Sequence, residues 1–441
     1  MDAGRLQALT ADLKADRAGT APKRILFVHT CQGIGGAPLS LLYLIEKLDR
    51  SRFAPEILLL GRGGDEVDLF RRQGIPVYLR SDITVYPHAR GAHLRLRSLR
   101  PWEIVTLALR GLPSMVRMRA FVKSRRVDLV HLNTIVLIPS ALGTWLAGVP
   151  LVWHIRETLY PGLFGARARI VREIIRRCSR MIIGISHVNA EPWVGEPHIR
   201  VVYNFVDFQR FDRALSGRPF RERERIPANR PVIAMLGGVV HSKGADVLVE
   251  AAHLVRARRP DAMFVIAGYP PTGRESPSRF KRILRRTAEW SGLLPNVERR
   301  IIDRLRALGL EDSVRFVGLR SDVPDLLAAC EMLVWPATVS HFSRPVIEAG
   351  AMAKPVVASD WPSSRELVES GVTGLLVPPS EPRPLAEAIL RLLERPDEGR
   401  AMGERGHALA RERYDASRNV AAIMTIYDSV FLERRKPGEG M

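Results

Sequence analysis

Met332-Leu-Val-Trp335 followed by Ser340-His-Phe-Ser-Arg-Pro-Val-Ile-Glu348-Ala-Gly-Ala-Met-Ala-Lys-Pro355-Val-Val-Ala-Ser-Asp360 is the stretch that decides the fold. It reads as an apolar strand, a loop, a helix and a second apolar strand. Neither strand alternates apolar with polar residues, so both faces are covered, as in a parallel sheet between helix layers. Pro345 stands where a first-turn proline belongs, with Ser343 before it as the expected N-cap. A strand, a helix and a strand in this order make one βαβ crossover.

The unit repeats on both sides. Residues 231–236, 263–267, 314–317 and 375–377 read as further strands, with a helix over 245–258. In the other half, residues 24–29, 56–60, 127–132, 150–155, 181–186 and 200–203 are apolar runs, and Leu39, Leu42, Ile45 and Leu48 recur at helical spacing. Two βα-rich halves predict an α/β protein with two doubly wound Rossmann-like domains facing across a cleft. Ligands in such sheets bind beyond the carboxyl ends of the strands. The expected divisions are an extension over 1–23, one domain over 24–207, a polar linker over 208–230 with Pro219 and Pro227, and a second domain over 231–414. A final helix, 415–441, is expected to cross back to the first domain.

Composition narrows the function classes. The chain has 441 residues, 46% hydrophobic and 26% charged, which suits two or three globular domains. It excludes a disordered tail, a collagen-like chain and a small disulfide scaffold. The formal net charge is +20. Such an excess points to nucleic acid, an anionic membrane or phosphorylated ligands, and its competing explanation is compositional, since 59 of the 67 basic residues are Arg. No zinc, basic-zipper or RNA-binding pattern accompanies the charge, so no specific nucleic-acid partner is expected. Cys31, Cys178 and Cys330 are far apart and suit a reducing cytosol. The first 24 residues hold no apolar core of signal-peptide length, so a cytoplasmic protein is expected. Residues 130–153 carry no Asp, Glu, Lys or Arg, but His131, Asn133, Pro139, Ser140 and Pro150 divide them into strand, helix and strand rather than a membrane span.

Two basic insertions stand out, 80–126 and 271–305. The first holds eleven Lys and Arg against Asp82 and Glu103, mixed with residues such as Trp102, Leu109, Leu112 and Val116. It reads either as a segment lying on an anionic membrane or as surface helices covering the sheet.

Four sites carry candidate chemistry. At the start of the 344–351 helix, unpaired N–H groups and Arg344 make an anion site, and Glu348 can accept from a vicinal diol. The plain alternative is a solvated Glu on an ordinary crossover. Leu236-Gly-Gly-Val-Val-His-Ser-Lys243-Gly244 places glycines after a strand, where a phosphate can approach the backbone, and Lys243 as a point charge. The alternative there is a helix start with an incidental Lys. Gly33-Ile-Gly35-Gly36 lacks dinucleotide spacing and reads as a loop aimed at the cleft. Trp153-His154-Ile-Arg156-Glu157 ends a strand facing the cleft, where His154 is either functional or a core histidine.

Taken in order, Arg24-Ile-Leu-Phe-Val-His-Thr, Gly35-Gly36-Ala, Trp153-His154-Ile-Arg156-Glu157, Val201-Val-Tyr-Asn204, Ser242-Lys243-Gly244, Phe342…Glu348-Ala and Gly371-Val-Thr-Gly374 resemble the retaining glycosyltransferases of family 4, group 1, with the GT-B fold. The resemblance covers residues 24–432. It implies metal-independent sugar transfer from a nucleotide-sugar such as a UDP- or GDP-sugar, with no metal site and no further cofactor. It implies donor contacts from Gly35, Gly36, Gly237, Gly238, Lys243, Arg320, Ser340, His341, Phe342, Ser343, Arg344, Pro345, Val346 and Glu348. His154, Lys243 and Glu348 would carry catalysis, and Arg156, Glu157 and Asn204 the acceptor side. The acceptor would be a glycan, a lipid-linked molecule or another component of cell-envelope polysaccharide or glycoconjugate synthesis; the enzyme is expected in the cytoplasm, with the 80–126 segment as its candidate contact with the inner face of the cytoplasmic membrane.

Two positions depart from the family pattern. Ser340 replaces a Glu eight residues before Glu348, and Gly238 replaces an Arg that helps neutralise the leaving diphosphate. Losing a preorganised stabilising group costs rate, so a GT-B binding module without catalysis is the competing reading. Arg344 or Arg320 would have to supply the missing charge, and His341 the missing sugar contact.

Overall fold

The computed structural model describes residues 21–31, 33, 35–86, 101–159, 165–268 and 297–433, with the side chains of 101–108, 297–298 and 433 outside that set. The first domain runs β1 (Lys23–Thr30), α1 (Gly36–Glu46), β2 (Phe53–Leu60), α2 (Asp65–Arg71), β3 (Val77–Arg80), α3 (Pro101–Arg125), β4 (Leu129–Leu132), α4 (Ile138–Leu146), β5 (Leu151–Ile155), α5 (Ala166–Cys178), β6 (Met181–Gly184), α6 (His187–Ala190) and β7 (Ile199–Val201). The second runs α7 (Arg218–Arg223), β8 (Val232–Leu236), α8 (Ala245–Arg258), β9 (Met263–Ala267), α9 (Val297–Ala307), β10 (Val314–Gly318), α10 (Val323–Ala329), β11 (Met332–Trp335), α11 (Arg344–Ala351), β12 (Val356–Ser359), α12 (Pro362–Arg365), β13 (Gly374–Val377), α13 (Pro382–Glu394) and α14 (Pro396–Arg413). The last helix, α15 (Ala416–Glu433), returns to the first domain.

Among the described residues the strands form two sheets, ordered β3-β2-β1-β4-β5-β6-β7 and β10-β9-β8-β11-β12-β13. Every pairing among the described residues is parallel, from Lys23 opposite Phe53 to Ser359 opposite Val377, with one register shift between Phe316 and Gly318 of β10. Both orders reverse direction once, between β1 and β4 and between β8 and β11. Crevices open at such switch points, beyond the strands' carboxyl ends. The loops there are residues 31–35 and 133–137 in the first domain, and 237–244 and 336–343 in the second. Burial follows the sequence pattern: Leu26, Val130, Leu151, Ile233, Val265 and Leu333 are fully enclosed because helices cover both faces.

The structure redraws three expectations. Residues 208–230 are not an exposed tether, since Phe211, Phe220 and Ile226 are buried in the second domain's core. Apolar residues spaced among arginines hid that anchoring. The 80–126 segment begins with the end of β3 and, where described, becomes the one long helix α3, with Pro113 inside it. Residues 87–100 and most of the second insertion, 271–296, lie outside the described residues. Strand β3 went unread because Arg80 at its end and Asp82 just beyond made it look like surface.

Residue Val206 bonds both ways to the chain at Tyr414 and Ala416, where α14 passes into α15. From there Val420, Ile423, Ile426, Tyr427 and Val430 pack into the core beneath β1 and β2. Arg52 donates to Asp428 at 2.6 Å and fixes the far end of that helix. No helix among the described residues is long and apolar enough to cross a membrane.

Candidate active site

The second domain brings Lys243 and His341 together. Gly237 and Gly238 both donate N–H bonds to the Ala267 carbonyl, at 2.8 and 2.9 Å, which pins the loop after β8 to the end of β9. Gly244, at φ +79°, then turns the chain beneath Pro336; a Cβ there would lie 1.8 Å from the Pro336 carbonyl oxygen. That close approach swings Lys243 over the Trp335 ring, 5.0 Å from its centroid. His341 lies beside the same ring, and its Nδ1–H donates to the Val339 carbonyl at 3.0 Å. This bond leaves Nε2 unprotonated, and Lys243 donates to it. Burial pushes the Lys243 amine down to about 8. Burial, then the charge of Lys243, takes His341 to about 3, so the imidazole is neutral.

Helix α11 brings the domains together. Arg344, its first residue, donates from Nε to Glu348 at 2.6 Å one turn on, and from Nη1 to Ser40 of α1 at 2.8 Å. The guanidinium also covers the Tyr43 ring at 4.6 Å. Glu348 is buried; burial raises its pKa and the Arg344 charge opposes the rise. The start of α1 is open: an added Cβ at Gly35 or Gly36 would meet nothing within 4 Å, and no side chain caps that end. Its backbone N–H groups therefore face the cleft as an anion-attracting end, one turn from the Ser40–Arg344 contact.

A buried polar chain lies beneath the cleft in the first domain. His154 Nδ1 is 3.3 Å from His131 Nε2, and His131 Nδ1 is 2.8 Å from the Tyr427 hydroxyl. His154 Nε2 has no partner among the described residues. Burial, followed by the Arg156 charge, takes His29 and His131 to about 3 and holds His154 well below its ordinary value. Arg156 donates from Nε to Asn133 at 2.7 Å and from Nη1 to Asn204 at 2.6 Å. Glu157 makes no bond to Arg156 but favours its charge, and accepts from the Thr134 hydroxyl and from the Ile135 N–H at 3.0 Å.

Other expected residues take different places. Arg320 spends its nitrogens on Asp322, at 2.7 and 2.6 Å, and on Glu224, at 3.1 Å, over the Phe220 ring. It braces the connection between the domains and touches none of the residues above. Phe342 and Val346 are buried in the second domain's core, Phe342 stacked with Tyr203. Ser343 occupies the N-cap position of α11, but its hydroxyl is buried and makes no capping bond. Pro345 sits in the first turn as expected. Ser340 shares a 3.0 Å bond with Ser363 of α12. Gly238 has φ +77°, a left-handed conformation that disfavours any side chain, so an Arg there would need a different backbone.

Several site residues escaped the sequence reading: His131, Asn133, Ser40, Tyr43, Trp335 and Tyr427. His131 and Asn133 lie at the beginning of the uncharged run 130–153, whose polar residues were taken only as arguments against a membrane span. Tyr427 carries no local signal, because only the return of α15 brings it within reach of His131.

The chain matches the family model for glycosyl transferases group 1 over residues 218–408 and that for the glycosyl transferase 4-like domain over 35–191. It is 27% identical to the D-inositol 3-phosphate glycosyltransferase of Salinispora tropica, across 94% of this chain and 87% of that one. It is 29% identical to the alpha-D-kanosaminyltransferase of Streptomyces kanamyceticus over 206 residues, spanning 47% of that protein. In three dimensions it resembles Anabaena HepE, solved with UDP and glucose, at a TM-score of 0.72 and 22% identity over 92% of this chain and 99% of that one. It also resembles the sucrose-phosphate synthase of Thermosynechococcus elongatus, at 0.67 and 18% over 93% and 100%. Two matched domains in sequence order, each folded as a parallel α/β sheet, make this chain a member of the group 1, family 4-type glycosyltransferases with the GT-B fold.

Proposed function

We propose that the protein transfers a sugar from a nucleoside-diphosphate sugar, with retention of anomeric configuration and without a metal ion. The observation that carries this is the meeting of three features at the two switch points: Glu348 behind Arg344, Lys243 over Trp335, and the open start of α1. Glu348 would accept the ribose hydroxyls, while Lys243 and the α1 N–H groups hold the diphosphate. His154 Nε2, buried and without a partner among the described residues, would face the donor sugar. The bond from the anomeric carbon to the phosphate oxygen breaks, the acceptor oxygen bonds to that carbon, and its proton passes to the departing phosphate. Cations that neutralise the leaving diphosphate in a dry site lower the barrier, which is the role a metal has elsewhere.

HepE was solved with UDP and glucose, and the Salinispora relative is named for an inositol phosphate. The first supports a nucleotide-sugar donor here and the second a polar acceptor, which in this reading is a glycan, a lipid-linked molecule or another component of cell-envelope synthesis. The test is turnover of UDP- and GDP-sugars with and without EDTA, with the anomeric configuration of the product read by NMR. Release of nucleoside diphosphate at an unchanged rate in EDTA, with retention, is expected; inversion or loss of activity in EDTA overturns the reading. Glu348→Gln should weaken UDP binding about tenfold or more, since hydrogen bonds to a charged acceptor are worth about 1.5–3 kcal/mol.

Helix α3 favours work at the cytoplasmic face of a membrane. Leu109, Leu112 and Val116 are 72%, 69% and 63% exposed on one side of it, opposite the buried Ser114, Met118 and Val122. Arg110, Arg117, Arg119 and Lys123 flank that stripe. An apolar stripe between basic rows suits an anionic bilayer surface.

A further inference from the structure

Arg156 is a buried cation without a carboxylate bonded to it. Only 9% of the residue is exposed. Its Nε and Nη1 bonds go to the side-chain oxygens of two neutral amides, Asn133 and Asn204, and its Nη2 has no partner among the described residues. The adjacent carboxylate, Glu157, favours the Arg156 charge without bonding to it, since its oxygens accept from Thr134 and Ile135. The nearby imidazoles of His29, His131 and His154 are neutral and supply no negative charge. A guanidinium buried in such company costs several kcal/mol unless an anion meets it.

The opposite wall carries a second buried arginine, paired with Glu348 through Nε but not saturated. Arg344 is 6% exposed, and its Nη2 is likewise without a partner among the described residues. Asn133, which accepts from Arg156, donates to the Ala37 carbonyl of α1 at 3.3 Å, and Ser40 one turn along that helix accepts from Arg344, so both guanidinium groups lie against the start of α1. Glu348 offsets one of these charges but saturates neither guanidinium, and planar forked donors with an unpartnered Nη2 suit phosphate oxygens. The chain also lacks a cation at Gly238, whose left-handed backbone disfavours a side chain.

We propose that Arg156 and Arg344 form an oxyanion subsite for a phosphate-class group, one arginine from each domain. The glycosyl-transfer reading enters only in the source of the group: the donor's diphosphate or a phosphate carried by the acceptor. In either case the ligand joins the two domains and offsets the charge that Arg156 buries.

The test is calorimetric titration of the full chain with inorganic pyrophosphate, with UDP, and with inorganic phosphate in the presence of UDP. Wild type is compared with Arg156→Gln and Arg156→Lys, with folding checked by circular dichroism. Arg156→Gln should weaken pyrophosphate binding about tenfold or more. Arg156→Lys, which keeps the charge and loses the fork, should weaken it less, and it carries the comparison if the glutamine variant does not fold. A parallel loss of UDP affinity assigns the subsite to the donor diphosphate. Unchanged UDP affinity with lost phosphate binding assigns it to the acceptor. Pyrophosphate binding that is absent from wild type, or that survives unchanged in the variants, overturns the subsite. If wild type binds pyrophosphate through Arg156 but no nucleoside diphosphate, the donor reading fails and the subsite stands.

Discussion

At the scale of single residues, Lys243 shows what burial does to a charge. Its folded-state pKa, about 8, lies below the ordinary 10.5. The native state therefore holds that proton less tightly than the unfolded chain. Linkage gives the sign: the cost of the charged amine is full below about pH 8, and stability rises between about 8 and 10.5 as it is relieved. Binding a diphosphate works the other way, because the anion favours the charged amine. Affinity for a nucleoside diphosphate should accordingly fall as pH rises above about 8. In Lys243→Arg, whose charge persists to far higher pH, the fall should vanish; titrations at pH 7 and 9 check both. His341, which accepts from Lys243 while its other nitrogen donates to Val339, holds the amine over Trp335.

At the scale of elements, the loops at the switch points depend on close backbone approaches, and α3 depends on what its outer face meets. Gly244→Ala brings a Cβ onto the Pro336 carbonyl and adds left-handed strain of about 1–2 kcal/mol. It should move Lys243 away from Trp335 and reduce turnover more than it lowers the melting temperature; a variant equal to wild type in turnover would show that the loop tolerates the shift. On α3, Leu112 and Val116 pack against nothing within the fold that buries them, so Leu112→Glu should leave urea unfolding nearly unchanged. The same substitution should reduce co-sedimentation with vesicles containing anionic lipid, while vesicles of neutral lipid bind neither protein. Equal sedimentation of the variant would remove α3 from membrane contact.

Across the whole molecule, the domains are joined by more than the linker. Glu366 of the second domain accepts from the His187 and Val188 N–H groups at 2.8 Å each, capping α6 of the first. Arg344 reaches Ser40. Helix α15 completes the arrangement by carrying Tyr427 from the chain's end to His131. Tyr427→Phe keeps the ring packed and leaves a buried imidazole nitrogen without its partner, so it should cost about 1–3 kcal/mol in urea unfolding. A loss near zero would show that His131 finds another partner.

The parallel sheets were legible because their strands are short, apolar runs without alternation, and because a proline or a glycine marks where each crossover helix begins. The reading reached residue level at β9, β11 and α8, whose ends fell where the apolar pattern changed. Lys243, in the loop after β8, and Glu348, one turn into α11, were singled out from the sequence, and both follow strands that flank the switch point of the second sheet. Phe342, Val346 and Arg320 were assigned to the donor from their place in a motif, yet two pack in the core and the third pairs with Asp322 and Glu224. Neighbours in sequence need not share a cavity, because side chains around a helix start point in different directions.

The sequence by itself determined the layered α/β architecture, the two-domain division and the family, because those follow from hydrophobic period, glycine and proline placement, and motif order. Only the tertiary structure decided what each polar group meets. It set Arg156 among neutral amides, put Arg344 across the boundary on Ser40, laid Lys243 against His341, and brought Tyr427 beneath His154's neighbour. Those contacts join residues as much as 304 positions apart. Their energies depend on burial and distance, which no local stretch of sequence specifies.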